Sequence, residues 1–146
     1  ASDVESRYAA IVAGVPEHPV EDVLLSNIRL QFRGGGTEAD ANAEVPEHAE
    51  AYPEPSMFGT TPSYGLYVRH ARNITGRDFD VQSISPDGRP PVALVDVDGF
   101  YSDHLTAARA AGSPFLALEN VRQLVVRGTP GLPDLILPRV AGRELR

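Results

Sequence analysis

Four groups of side chains in this sequence could do chemistry. Asp96 and Asp98 sit two apart in Val95-Asp96-Val97-Asp98-Gly99. On an extended segment such residues share a side, with Cα atoms about 6.5 Å apart. Two carboxyl groups so placed could flank a glycosidic bond, for which inverting hydrolysis needs roughly 6.5–9.5 Å between them. Asp78 and Asp103 form a second pair, read as equivalent positions of a repeat. Stacked strands would bring them to about 5 Å, or about 10 Å with one strand between. Close carboxylates raise one pKa and supply an acid. The competing reading is a bend that favours Asn or Asp for turn hydrogen bonds, with Asn27 in the same column.

Ser102-Asp103-His104 contains the residue types of a nucleophilic triad. Neighbours on a strand point to opposite faces, so the three cannot form one together, but Ser102 and His104 share a face and could serve a small-ester hydrolase. No Gly-x-Ser-x-Gly elbow accompanies them. Tyr67, Arg69 and His70 are the most binding-like group. Leu66 and Val68 should point inward, leaving Tyr67 and Arg69 to project outward. An exposed Tyr beside an Arg suits sugar stacking and carboxylate pairing. The alternative is a Tyr packed beneath the segment 33–62.

The remaining motifs are weaker. Gly34-Gly35-Gly36-Thr37 lacks the Lys of a phosphate loop and reads as a hinge. Asp96-Val97-Asp98-Gly99 lacks the third acidic position and distal Glu of a calcium loop. His18, His48, His70 and His104 have no metal-ligand spacing, and there is no Cys. No metal or cofactor is therefore expected. Asn73-Ile74-Thr75 fits a glycosylation sequon but falls within a core repeat.

That repeat is what must position these groups. Four segments, beginning at Asp22, Asn73, Gly99 and Asn120, share one apolar pattern. Val23, Ile74, Phe100 and Val121 hold a first position; Ile28, Phe79, Leu105 and Val126 hold a second, five residues on. Val68, Leu94 and Phe115 each precede the first position by six residues. The unit is strand, bend, strand, bend, strand. Residues 8–13 read as a short strand or helical turn, and 20–32 as strands. Between 33 and 62 lies an irregular excursion, with a capping box at Thr37 and Asp40 and a short helix over 38–44. Tyr52, Met57 and Phe58 imply that part of it packs down. Short strands at this period, without long helices between them, predict an all-β fold, a parallel β-helix of about four turns, and the resemblance given below implies its right hand. A β-sandwich is the alternative, but it needs hairpins, and the one good candidate is Pro86-Asp87-Gly88.

Composition bounds the partners. The chain has 146 residues, with 20 Asp and Glu against 13 Lys and Arg, and a net charge of −7. This length suits one domain, read as 1–146. The acidity argues against nucleic acid or an anionic membrane. No stretch reaches the roughly 18 apolar residues of a membrane span. Residues 1–5 lack the basic and apolar regions of a signal peptide.

Several longer segments resemble the C-terminal part of glycoside hydrolase family 28 proteins, the polygalacturonase-like pectinases. They are His18-Pro19-Val20-Glu21-Asp22-Val23-Leu24-Leu25-Ser26-Asn27-Ile28-Arg29, with Arg33-Gly34-Gly35-Gly36-Thr37. Val45-Pro46-Glu47, Tyr52-Pro53-Glu54-Pro55, Met57-Phe58-Gly59-Thr60, Tyr64-Gly65-Leu66-Tyr67-Val68-Arg69-His70 and Arg89-Pro90-Pro91-Val92-Ala93-Leu94 agree as well. The resemblance covers most of residues 10–128. It implies the parallel β-helix, inverting hydrolysis of galacturonate-containing polysaccharides, and a secreted or periplasmic location. The family's Asn-Thr-Asp, Asp-Asp, His-Gly and Arg-Ile-Lys motifs do not occur here. The expectation is a truncated, pectin-related module without the usual catalytic aspartates. A non-catalytic carbohydrate-binding or structural β-helix is the second reading. Any surviving hydrolysis would use Asp96 and Asp98, or Asp78 and Asp103, with Tyr67, Arg69 and His70 binding substrate. Raw strand edges at the N-terminal end predict a homo-oligomer.

Overall fold

The computed structural model describes residues 7–50 and 54–145; the expectations for residues 1–5, Tyr52 and Pro53 lie outside them. The fold is all-β. Its strands are β1 (Ala10–Ala13), β2 (Val20–Phe32), β3 (Leu66–Ser83), β4 (Val92–Ala107), β5 (Leu116–Arg127) and β6 (Leu135–Leu145). They form one six-stranded, mostly parallel sheet. Along one edge of β3, β1 pairs with Leu66–Arg69 and β2 with Ala71–Ser83. Then β4 and β5 follow in parallel on the other side, and β6 returns antiparallel along β5. The helix expected over 38–44 is a single 3-10 turn, Asp40–Asn42; a second covers Pro55–Phe58. Pro86-Asp87-Gly88 joins parallel strands rather than closing a hairpin, so the sandwich pairing is not formed.

These strands are long because left-handed residues bend them without breaking the pairing. Non-glycine residues with positive φ are uncommon, and Asn, Asp and His tolerate them best. Here they stack in columns. His70, Asp96 and Asn120 form one bend; Asp22, Asn73, Gly99 and Gln123 a second; Asn27, Asp78, His104 and Gly128 a third. A simple spacing rule follows. Inward residues are two apart on straight stretches and three apart across a bend. In β3 this places Leu66, Val68, Ala71, Ile74, Phe79 and Val81 inward, all buried. The equivalent residues of β4 and β5 complete one apolar core. Fully burying a side chain of this size stabilises by about 1.5–3 kcal/mol.

The register corrects two details of the repeat. Phe100 pairs with Leu124, whereas Val121 pairs with Val97 and Val126 with Ser102. A spacing of five arises twice in each strand, as three plus two and as two plus three. Val121 and Val126 match the first order, and the other copies match the second. With Leu124 in place, the residue six before it is Leu118, which does pair with Leu94. Likewise Asp103 pairs with Arg77, and the residue level with Asp78 is His104.

The connection from β2 to β3 is pinned by a buried ion pair. Arg89 Nη2 and Nε donate to Asp87 Oδ2 and Oδ1 at 2.8 and 2.9 Å, with both residues about 1% exposed. The Gly36 amide donates to the same carboxylate at 3.0 Å. Burial alone would raise the Asp87 pKa, but the hydrogen bonds from Arg89 and Gly36 outweigh it and hold it below the usual range. The capping box forms: the Thr37 amide donates to Asp40 Oδ2 at 2.7 Å, and the Asp40 amide donates to Thr37 Oγ1 at 3.3 Å.

Candidate functional site

The bend at His70, Asp96 and Asn120 opens onto a groove of about 340 Å³. Its position follows from the spacing rule. The outward residue after each bend residue, Arg72, Asp98 or Arg122, lies beside it on the surface, and β6 closes one side with Arg139. His70 lies between two carboxylates. Its Nε2 is 3.0 Å from Glu47 Oε1 and its Nδ1 is 3.5 Å from Asp96 Oδ2. Asp98 Oδ2 is 3.2 Å from Arg122 Nη2, and Asp98 Oδ1 accepts from Gln123 Nε2 at 3.3 Å. Arg72 Nη1 donates to Glu21 Oε1 at 3.0 Å. The groove is thus a band of alternating acids, bases and amides across neighbouring strands. Such a band offers donors and acceptors at strand spacing, about 4.8 Å.

Three sequence-predicted residues meet here: His70, Asp96 and Asp98. Asp96 is itself a left-handed bend residue, so it reaches the groove through the bend rather than by strand alternation. Tyr67 and Arg69 do not join them. They point away from the core as expected, but the excursion covers them, and they are 2% and 3% exposed. Tyr67 packs in a second small cluster with Ala9, Ala93 and Ala117, against Val45 and Phe58. Burial pushes its hydroxyl pKa up to about 12. Arg69 Nη1 donates to the carbonyls of Val45 and Pro46 at 2.9 and 3.1 Å, and the guanidinium lies over the Phe58 ring. The outward face expected to stay open at Tyr67 and Arg69 is therefore covered.

Asp78 and Asp103 meet at the third bend, on either side of His104. The His104 Nδ1 atom is 3.9 Å from Asp78 Oδ1 and 3.5 Å from Asp103 Oδ1. All three are well exposed. Ser102 does not pair with His104. It points inward and is 5% exposed, because the left-handed His104 breaks the alternation that would have put both on one face. Among the described residues no group of three or more His, Cys, Asp or Glu side chains could hold a metal ion.

Arg72, Asn120, Arg122 and Arg139 were not among the sequence candidates. The first three could have been found by extending the repeat outward from each bend. Arg139 gives no such signal, since Leu135-Ile136-Leu137-Pro138 carries no repeat and its pairing is antiparallel. Comparison with protein-family models, curated proteins and solved structures finds no match to this chain.

Proposed function

We propose that this chain is a pectin-related module of the glycoside hydrolase family 28 type, and that it binds an oligosaccharide in the groove at His70, Asp96 and Asp98 without hydrolysing it. The architecture we infer for it is a right-handed parallel β-helix. Stacked columns of left-handed bends and the single core gathered from both sides of each bend support that reading. One observation carries the functional reading: the polar band of the groove repeats at strand spacing across β3, β4 and β5. A sugar chain laid along the stack would meet a fresh set of donors and acceptors at each strand. Binding is favoured over hydrolysis because the groove carboxylates are already engaged, Asp96 by His70 and Asp98 by Arg122 and Gln123. The same reading implies pairing between copies along β2. Its inward residues Val23, Leu25, Ile28 and Leu30 are only partly buried, and no strand lies on its outer side among the described residues.

Reducing-sugar release from polygalacturonate is expected to stay at the buffer blank, while the same preparation retains oligogalacturonate on an affinity matrix. Release above the blank that Asp96→Asn or Asp98→Asn abolishes would establish hydrolysis instead.

A further inference from the structure

Four large apolar side chains are exposed among the described residues, and three of them lie in one line. Leu24, Tyr101 and Ile136 are 60%, 37% and 63% exposed. The pairing sets Leu24 beside Thr75, Thr75 beside Tyr101, Tyr101 beside Val125 and Val125 beside Ile136. This row crosses five strands on the outward side of the sheet. The bend at Asn73, Gly99 and Gln123 separates it from the polar groove. Tyr101 is held in place, with its hydroxyl donating to Gln123 Oε1 at 3.2 Å.

The next outward row carries charge. It runs Ser26, Arg77, Asp103, Arg127. Asp103 turns to His104, and neither the Arg77 nor the Arg127 side chain has an ion pair or hydrogen bond among the described residues. The two guanidinium groups stem from positions two strands apart, about 10 Å. A shallow groove of about 430 Å³ runs between the apolar row and this basic flank.

We propose that this surface docks an amphipathic helix of a partner protein, one that carries Asp or Glu beside its apolar ridge. The anchors Leu24, Tyr101 and Ile136 stand two strands apart, about 9.6 Å, close to the roughly 10.8 Å of two helix turns and unlike the roughly 6.8 and 13.6 Å same-side repeats of an extended peptide. Five strands span about 19 Å, the length of roughly 13 helical residues. The free arginines select acids at the flank. A second copy of the chain fits less well. One row of five residues falls short of the roughly 800 Å² per partner of a stable interface. Leu24 and Ile136 offer an oligosaccharide no hydrogen bonds.

The test is fluorescence anisotropy on the full chain with two labelled 14-residue model helices. Both carry a Leu ridge; one is flanked by Glu and its twin by Lys. The Glu peptide is expected to bind saturably and the Lys twin not to bind. Arg77→Glu with Arg127→Glu should weaken the Glu peptide about tenfold and let the Lys twin bind. Leu24→Ser with Ile136→Ser should weaken it as well, with an unchanged circular dichroism melt in both variants. Absence of binding, equal binding of both peptides, or indifference to the arginine reversal would overturn the proposal. So would a dimer that Leu24→Ser with Ile136→Ser dissolves, which would assign the row to a second copy. Displacement of the peptide by oligogalacturonate would overturn it too. The polar groove is untouched by these variants, so failure here leaves the sugar-binding reading standing.

Discussion

Asp87→Ala is expected to cost about 3–5 kcal/mol of unfolding free energy, the range for removing one partner of a buried ion pair. The change removes the only carboxylate seen against the Arg89 guanidinium among the described residues; the group is 1% exposed, and its Nη1 also donates to the carbonyls of Arg7 and Thr61, each at 3.3 Å. It also removes the acceptor of the Gly36 amide. In a chain of this size each kcal/mol moves the melting temperature by about 2–4 °C, so the midpoint should fall by about 6–20 °C. Replacing both partners, Asp87→Leu with Arg89→Met, should cost less than Asp87→Ala alone, because no charge is left buried. Thermal melts of the three proteins check this, and a double variant less stable than the single would refute it. The pair also sets a pH dependence. The Asp87 pKa is lowered from 3.8 on folding. Its contribution is therefore present above about pH 4 and lost as pH falls through the lower folded value. Wild type should lose stability over that window, and Asp87→Ala should lose less.

Gly34→Ala is the second large effect, expected at about 2–5 kcal/mol. Gly34 has φ +75°, a left-handed conformation that costs an L side chain about 1–2 kcal/mol. A Cβ there would sit 2.1 Å from the Ser85 carbonyl oxygen, which is backbone. Relief requires the ladder that Phe32 and Arg33 extend to Ile84 and Ser85 to move, and overpacking of this kind costs about 1–3 kcal/mol more. Gly35→Ala is the control. Its φ is also positive, at +89°, but nothing lies within 4 Å of an added Cβ, so the difference between the two variants isolates the clash. Urea denaturation of both gives that difference directly. Equal midpoints would show that position 34 yields without cost. The glycine run is therefore not the hinge its composition suggested, since two of its three residues are packed against 83–89.

Much of the fold was legible because the inward positions are strongly apolar. Ile74, Phe79, Phe100 and Leu105 fall in the register their spacing implied. The fourth strand was misaligned because a bend adds one residue, and two orders of the same sum look alike in sequence. The site was less legible. His70, Asp96 and Asp98 converge as outward neighbours of one bend, which a sequence can show. Whether an outward face stays open cannot be read from a strand alone. Tyr67 and Tyr101 both alternate outward, yet Tyr67 is sealed by Val45 and Phe58 while Tyr101 is bare. The covering segment comes from a Pro- and Gly-rich excursion whose path is fixed by Asp87, Arg89 and Arg69, residues far from it in sequence. The Asp87–Arg89 pair is itself local, but its hold on Gly36, 51 residues away, has no local signature.

Sugar binding in the groove at His70, Asp96 and Asp98 can be read from amide chemical shifts followed through a titration with oligogalacturonate. Saturable shifts are expected at His70, Arg72, Asp96, Asp98, Asn120 and Arg122, lost in Asp98→Ala with the fold intact. No shift at saturating sugar, or shifts centred on Tyr101 and Ile136 instead, would contradict it.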